Sequence, residues 1–215
     1  MNDQSLFLDT NIYIGYAYDN YYEKYHHECC HVFDKVRGPR HTSLSVKQEL
    51  GKKKRNRAKL YDALLAHCLS GRQLREFDLK TLKGSELNHA GKLVQAHKEG
   101  KKDIEYLRSL ERLFTTRLYD AMYNRTEQPF VGYSADAYLK DDLQLLGMHT
   151  PDDSILADFF TWALPGIGSC FVTGDGAIND RKTEILSLVA DKAQGGCTHL
   201  SIAHVRNAVQ KFPVP

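Results

Sequence analysis

Apolar residues fall into a few short runs, separated by longer stretches in which they recur every three or four positions. Leu6-Phe7-Leu8 is the first run. Asp9-Thr10-Asn11 closes it, and a second run, Ile12-Tyr13-Ile14, follows at once. The first run predicts a buried strand over residues 5–8. Tyr25, Cys29, Val32, Phe33 and Val36 lie at helical spacing and predict a helix over 20–36, broken by Gly38-Pro39. His41 to Leu44 reads as a short strand or its end. Ser45 and Gln48 then fit a capping box, which places Glu49 in the second turn of the next helix.

From Ala58 to about Asn124 the pattern is almost purely helical. Leu60, Leu64, Leu65 and Cys68 make one stripe, and Ile104, Leu107, Leu110, Phe114, Leu118 and Met122 a cleaner one. Near residue 130 an alternating framework resumes. Thr150-Pro151-Asp152-Asp153 opens a helix through about Leu164, with Thr150 as cap and the aspartates at the positive end of the dipole. Cys170-Phe171-Val172-Thr173 reads as a buried strand, turned by Gly174-Asp175-Gly176 into a helix that runs to about Ala190. Gly195-Gly196 leads into a last strand, roughly Thr198 to Ile202. Strands alternating with helices imply an α/β fold with a mostly parallel sheet flanked by helices. The expected organisation is one domain over 1–205, interrupted by a helical insertion over 58–128, with a C-terminal tail at 206–215.

Composition narrows the class. The chain has 215 residues, 42% of them hydrophobic and 26% charged, enough for a single buried core. No apolar run approaches the ~20 residues that span a bilayer, and no leader pattern opens the chain, so a cytoplasmic protein without a membrane contact is expected. Five cysteines without C-x-x-C spacing argue against a disulfide framework or a zinc site. His26, His27 and His31 cluster, but no third ligand or H-E-x-x-H pattern accompanies them. The net charge of +2 says little; its distribution says more. Lys52, Lys53, Lys54, Arg55, Arg57 and Lys59 form a run without an acid, and Lys98, Lys101 and Lys102 a second cluster. Each reads equally as a solvated face or as a phosphate-binding patch.

The chemistry resides in acids near strand ends and helix starts: Asp9, Glu49, Asp153 and Asp175, with Asp152, Asp158 and Asp180 as outer members. Such a set suits two-metal phosphodiester hydrolysis, in which two Mg²⁺ or Mn²⁺ ions about 4 Å apart activate a water and steady the leaving oxygen. Hard cations take oxygen ligands. Without metal, converging carboxylates repel, so some hold protons or are kept apart.

These residues resemble the PIN domain family of metal-dependent nucleases. The resemblance rests on four short segments in order: Phe7-Leu8-Asp9-Thr10-Asn11, Ser43 to Leu50, Asp153-Ser154-Ile155-Leu156-Ala157 and Phe171-Val172-Thr173-Gly174-Asp175. It covers roughly residues 5–50 and 130–205. It implies a three-layer sandwich around a parallel sheet, and endonucleolytic cleavage of RNA with Mg²⁺ or Mn²⁺. It implies Asp9, Glu49, Asp153 and Asp175 as the metal-site acids, with Asn11 and Thr173 as hydrogen-bonding neighbours. Homodimers are common among such proteins. The long stretch between Glu49 and Asp153 departs from compact PIN toxins and suggests a protein partner or substrate contact of its own.

Each acid also has a plainer reading. Asp9 beside a buried strand needs a role to offset its burial. Glu49 reads as well as a surface ion pair. Asp152 and Asp153 point ~100° apart on a helix, so one of them at most aims at a site; the resemblance selects Asp153. Asp175 fits a turn. Asp180 reads as a helix cap or, less simply, as a further metal ligand. The expected function is a Mg²⁺/Mn²⁺-dependent endoribonuclease, with Lys52, Lys53, Lys54, Arg55 and Arg57 on the RNA backbone. The alternative is an inactive RNA-binding or scaffold protein. An aspartyl-nucleophile phosphohydrolase of the haloacid dehalogenase type wants an aspartate two positions after the first, where this chain has Asn11.

Overall fold

The computed structural model describes residues 5–18, 24–71, 84–163, 168–192 and 199–211. In chain order the elements are β1 (Ser5–Leu8), α1 (Thr10–Ala17), α2 (His26–Asp34), β2 (Arg40–His41), α3 (Leu44–Ser70), α4 (Gly84–Lys98), α5 (Ile104–Tyr123), α6 (Ala137–Leu145), α7 (Asp152–Ala163), β3 (Ser169–Thr173), α8 (Gly176–Asp180), α9 (Lys182–Lys192), β4 (Leu200–His204) and α10 (Val205–Lys211). Pro165-Gly166, Gly195-Gly196, Cys197 and Thr198 lie outside the described residues.

The strands form one sheet in the order β2-β1-β3-β4, every pairing parallel. The fold is therefore α/β, a four-stranded parallel sheet with flanking helices. All four residues of β1 are buried, as parallel strands covered on both faces require. Phe7 anchors one face: its ring lies 5.4 Å from Phe159 and 5.7 Å from Trp162 on α7, and 5.9 Å from Phe171 on β3. From β1 the chain first moves outward to β2, then returns past β1 to β3. The order thus reverses between β1 and β3, and the crevice beyond the carboxyl ends of these two strands is where such sheets bind ligands.

Local structure departs from the sequence reading in several places. Thr10–Ala17 is a helix, which the run Ile12-Tyr13-Ile14 did not announce. Six of its eight residues are buried, so it carries no polar stripe for periodicity to detect. Gly15 lets α2 come close, because a Cβ there would stand 2.5 Å from the Cys29 Sγ. The second strand is Arg40–His41 only, and Ser43, not Ser45, caps α3: its hydroxyl accepts from the Val46 N–H at 3.3 Å. Ser43→Ala should therefore cost about 1 kcal/mol and Ser45→Ala less, as chemical denaturation would report. Asp180 ends α8 and α9 starts at Lys182, so it is not the cap of a following helix.

Residue 58 falls inside α3, which runs unbroken from Leu44 to Ser70. Leu60, Leu64, Leu93, Leu110 and Phe114 share one buried core with Leu6, Phe7 and Phe171. The described part of the 58–128 stretch is thus packed onto the sheet framework. At the C-terminus, Val205 and Ala208 of α10 are buried. Among the described residues, no helix is long and apolar enough to cross a membrane.

Candidate functional site

Asp9 stands where β1 ends and α1 begins, 2% exposed. Its backbone N–H still bonds the Val172 carbonyl of β3, so the strand ladder fixes it. Its side chain caps α1: Oδ1 accepts from the Thr10 N–H at 2.6 Å. Oδ2 accepts from the Asn11 amide and the Thr173 hydroxyl, each at 2.7 Å. Asn11 spans the switch point, its Oδ1 accepting from the Gly174 N–H at 2.5 Å. The Thr173 hydroxyl in turn accepts from the Asp175 N–H at 2.9 Å. One network thus ties the end of β1 to the end of β3.

Two more acids face the same crevice. Glu49, one and a half turns into α3, accepts from the Thr10 hydroxyl at 2.5 Å through Oε2. Asp175 caps α8, with Oδ1 accepting from the Ala177 and Ile178 N–H groups at 2.7 and 3.3 Å. Asp9, Glu49 and Asp175 line one cleft of about 440 Å³. Burial pushes the Asp9 carboxyl up to about 7; the Thr173 hydrogen bond opposes the rise, and the charges of Asp152 and Glu49 add to it.

At the fourth expected acid two neighbouring aspartates part company. Asp152 lines the cleft and Asp153 does not. Asp153 is 2% exposed and bonded inward, with Oδ2 accepting from the Gln144 amide at 2.5 Å and the Thr150 hydroxyl at 3.2 Å, and Oδ1 from the Ser154 N–H at 2.6 Å. It fastens α7 to α6. Asp158 is fully buried and accepts from the Ser134 N–H at 2.6 Å. Asp180 is exposed and outside the cleft.

The basic run divides in the same way. Consecutive residues on a helix are ~100° apart, so five neighbours cannot share a face. Lys53 and Arg57 line the cleft, but Lys52, Lys54 and Arg55 do not. Arg57 is 3% exposed, 3.6 Å from the Glu86 carboxylate and stacked 4.5 Å over the Tyr18 ring. It is a buried partner of α4 rather than an exposed phosphate contact. Lys54 faces another cavity, beside Leu118 and Met122. Lys98, Lys101 and Lys102 are outside the cleft.

Sequence reasoning overlooked Glu86, His149, Lys24 and Tyr25 as cleft residues and set Asp152 below Asp153; all but Asp153 line the cleft. Between Asp152 and Asp153 periodicity could not choose: α7 is buried from Ile155 to Phe160, so no apolar stripe sets its rotation. Tyr25 was expected inside a helix over 20–36, yet α2 begins at His26 and Tyr25 takes a left-handed backbone (φ 64°) just before it.

The donor set is one of hard oxygens, suited to Mg²⁺ or Mn²⁺. Glu49 Oε1 and Asp175 Oδ2 have no hydrogen bond from the described residues. Among those residues, no three His, Cys, Asp or Glu side chains stand close enough to form a ready-made metal site. Comparison with known proteins finds no matching family profile, no matching curated protein and no matching solved structure.

Proposed function

We propose that this chain is a PIN-like Mg²⁺/Mn²⁺-dependent endoribonuclease. One observation carries the reading: a buried carboxylate, Asp9, shares a cleft at the sheet's switch point with Glu49, Asp152 and Asp175. Acids gathered in one cleft, one of them buried, repel one another when ionised, and a cation that joins them lowers that cost. The fit is to a hydrated hard cation, because Mg²⁺ keeps several waters and needs few direct carboxylates. Asp9, Glu49, Asp152 and Asp175 would hold it. When bound, such an ion supplies a nucleophilic water at neutral pH and neutralises charge on the phosphoryl oxygens.

The chain's own residues do the positioning. Thr173 and Asn11 fix the Asp9 carboxylate, and Thr10 fixes Glu49. Lys53 supplies the cleft with a cation for a substrate phosphate.

The test is hydrolysis of single-stranded RNA with Mn²⁺ and with EDTA, in wild type and two neighbouring variants. Asp152→Asn should lower cleavage at least tenfold with the melting temperature nearly unchanged. Asp153→Asn should destabilise by about 1–3 kcal/mol, since its amide would face the Gln144 amide, while the folded protein still cleaves. The reverse pattern would return the site to Asp153.

A binding-only reading is favoured by one observation, the lack of three acids within metal reach among the described residues. RNA retention without Mn²⁺-dependent cleavage would establish it.

A further inference from the structure

The acidic cleft does not end at Lys53. A second cavity of about 410 Å³ adjoins it, and the two share Glu49, Lys53, Thr150 and Pro151 along their common wall. Beyond that wall the charge inverts. α3 contributes Gln48, Lys52 and Asn56, α6 contributes Lys140, and Tyr133 also lines it. Glu49 is the one carboxylate among the described residues that line it. Lys140 lies half-buried, so part of its stem is held in place. Tyr133 is 58% exposed and also lines a third cavity, of about 580 Å³, with His41, Phe130 and Trp162. Three cavities therefore run on from one another, acidic first, then basic, then aromatic.

We propose that the basic cavity holds a single strand of RNA next to the scissile position, with phosphates over Lys52, Lys53 and Lys140 and a base stacked on Tyr133. The assignment rests on the nuclease reading of the cleft. Lysines alternating with amide donors suit a phosphodiester backbone, which supplies charge and acceptors but no sequence. An exposed ring on the wall of such a groove suits an unpaired base, whose face is open; a paired base is already stacked. Duplex RNA is therefore the poorer ligand.

The experiment uses Asp9→Asn protein, which should bind without cleaving, and adds Lys140→Ala or Tyr133→Ala. Binding of a fluorescent twelve-nucleotide single strand and of a matching duplex is followed by anisotropy from low to high salt. The single strand should bind at least tenfold tighter than the duplex. Lys140→Ala should flatten the salt slope by about 0.7. Tyr133→Ala should weaken binding about tenfold with the slope unchanged. Parental affinity and slope in both variants, or a preference for the duplex, would overturn the groove. If wild type still cuts RNA in that case, the cleft reading survives. If the two variants behave as expected but wild type never cuts with Mn²⁺, the groove stands and the nuclease reading falls.

Discussion

Asp9→Asn is expected to reduce Mn²⁺-dependent RNA cleavage by about a thousandfold, equivalent to ~4 kcal/mol of transition-state stabilisation. Asparagine keeps the size and planar shape of the side chain. Its Oδ1 can still accept from the Thr10 N–H, so the cap on α1 survives. What disappears is the charge at the one acid that β1 and β3 both fix. The neighbours should show a smaller, graded loss. Asn11→Ala and Thr173→Ala leave the carboxylate in place but remove donors 2.7 Å from its Oδ2, so a 10- to 100-fold loss of activity or metal affinity is expected, on the order of other supporting contacts. A ranking of Asp9 first, then Asn11 and Thr173, with Asp180→Asn near wild type, follows from the geometry. Circular dichroism and thermal melting on each variant would separate lost chemistry from lost fold. Full cleavage by Asp9→Asn, in a preparation inactive with EDTA, would remove Asp9 from the chemistry.

The parts of the fold legible in the sequence are those where one physical signal acts alone. Leu6-Phe7-Leu8 and Cys170-Phe171-Val172 are apolar runs too short for helices, and both are central strands. The α5 stripe from Leu107 to Met122 repeats at helical spacing because one face is solvated. Reading failed where burial is complete. α1 and α7 are packed nearly all round, so neither shows a period: the first went unrecognised and the second lost its rotation by one residue. That single residue separates Asp152 in the cleft from Asp153 in the α6–α7 contact. The capping serine shifted for a different reason, since both Ser43 and Ser45 stand before apolar positions and only the backbone decides between them. Tyr133 and Lys140 were illegible because they reach the groove from a loop and a helix far along the chain from Lys52.

A metal-free preparation should lose stability as pH rises from 4 to 7 and then level off. The cause is Asp9. In the unfolded chain it titrates near its ordinary value of 3.8; in the folded chain burial holds the carboxyl up to about 7. Between those values the folded state binds the extra proton, so unfolding free energy falls with pH, by ~1.4 kcal/mol per unit at most. The total reaches about 4 kcal/mol once pH exceeds 7, chiefly the cost of ionising a buried group, with the charges of Asp152 and Glu49 adding to it. Asp9→Asn removes this slope. It also sets its own amide against the Asn11 amide, at a cost of about 1 kcal/mol. The two stability curves should therefore cross between pH 4 and 5: wild type firmer near pH 4, the variant firmer near pH 8. A divalent ion acts on the same balance from the other side. It favours the ionised carboxylate, so Mn²⁺ should raise the melting temperature strongly at pH 8 and weakly at pH 5. At a hundred times its dissociation constant the gain is about 2.7 kcal/mol. Melting followed by fluorescence with EDTA and with Mn²⁺, at both pH values, reads all four states. A wild-type profile flat from pH 5 to 8 in EDTA would mean that Asp9 is already compensated by the protein itself. The cleft would then have no electrostatic need of a cation.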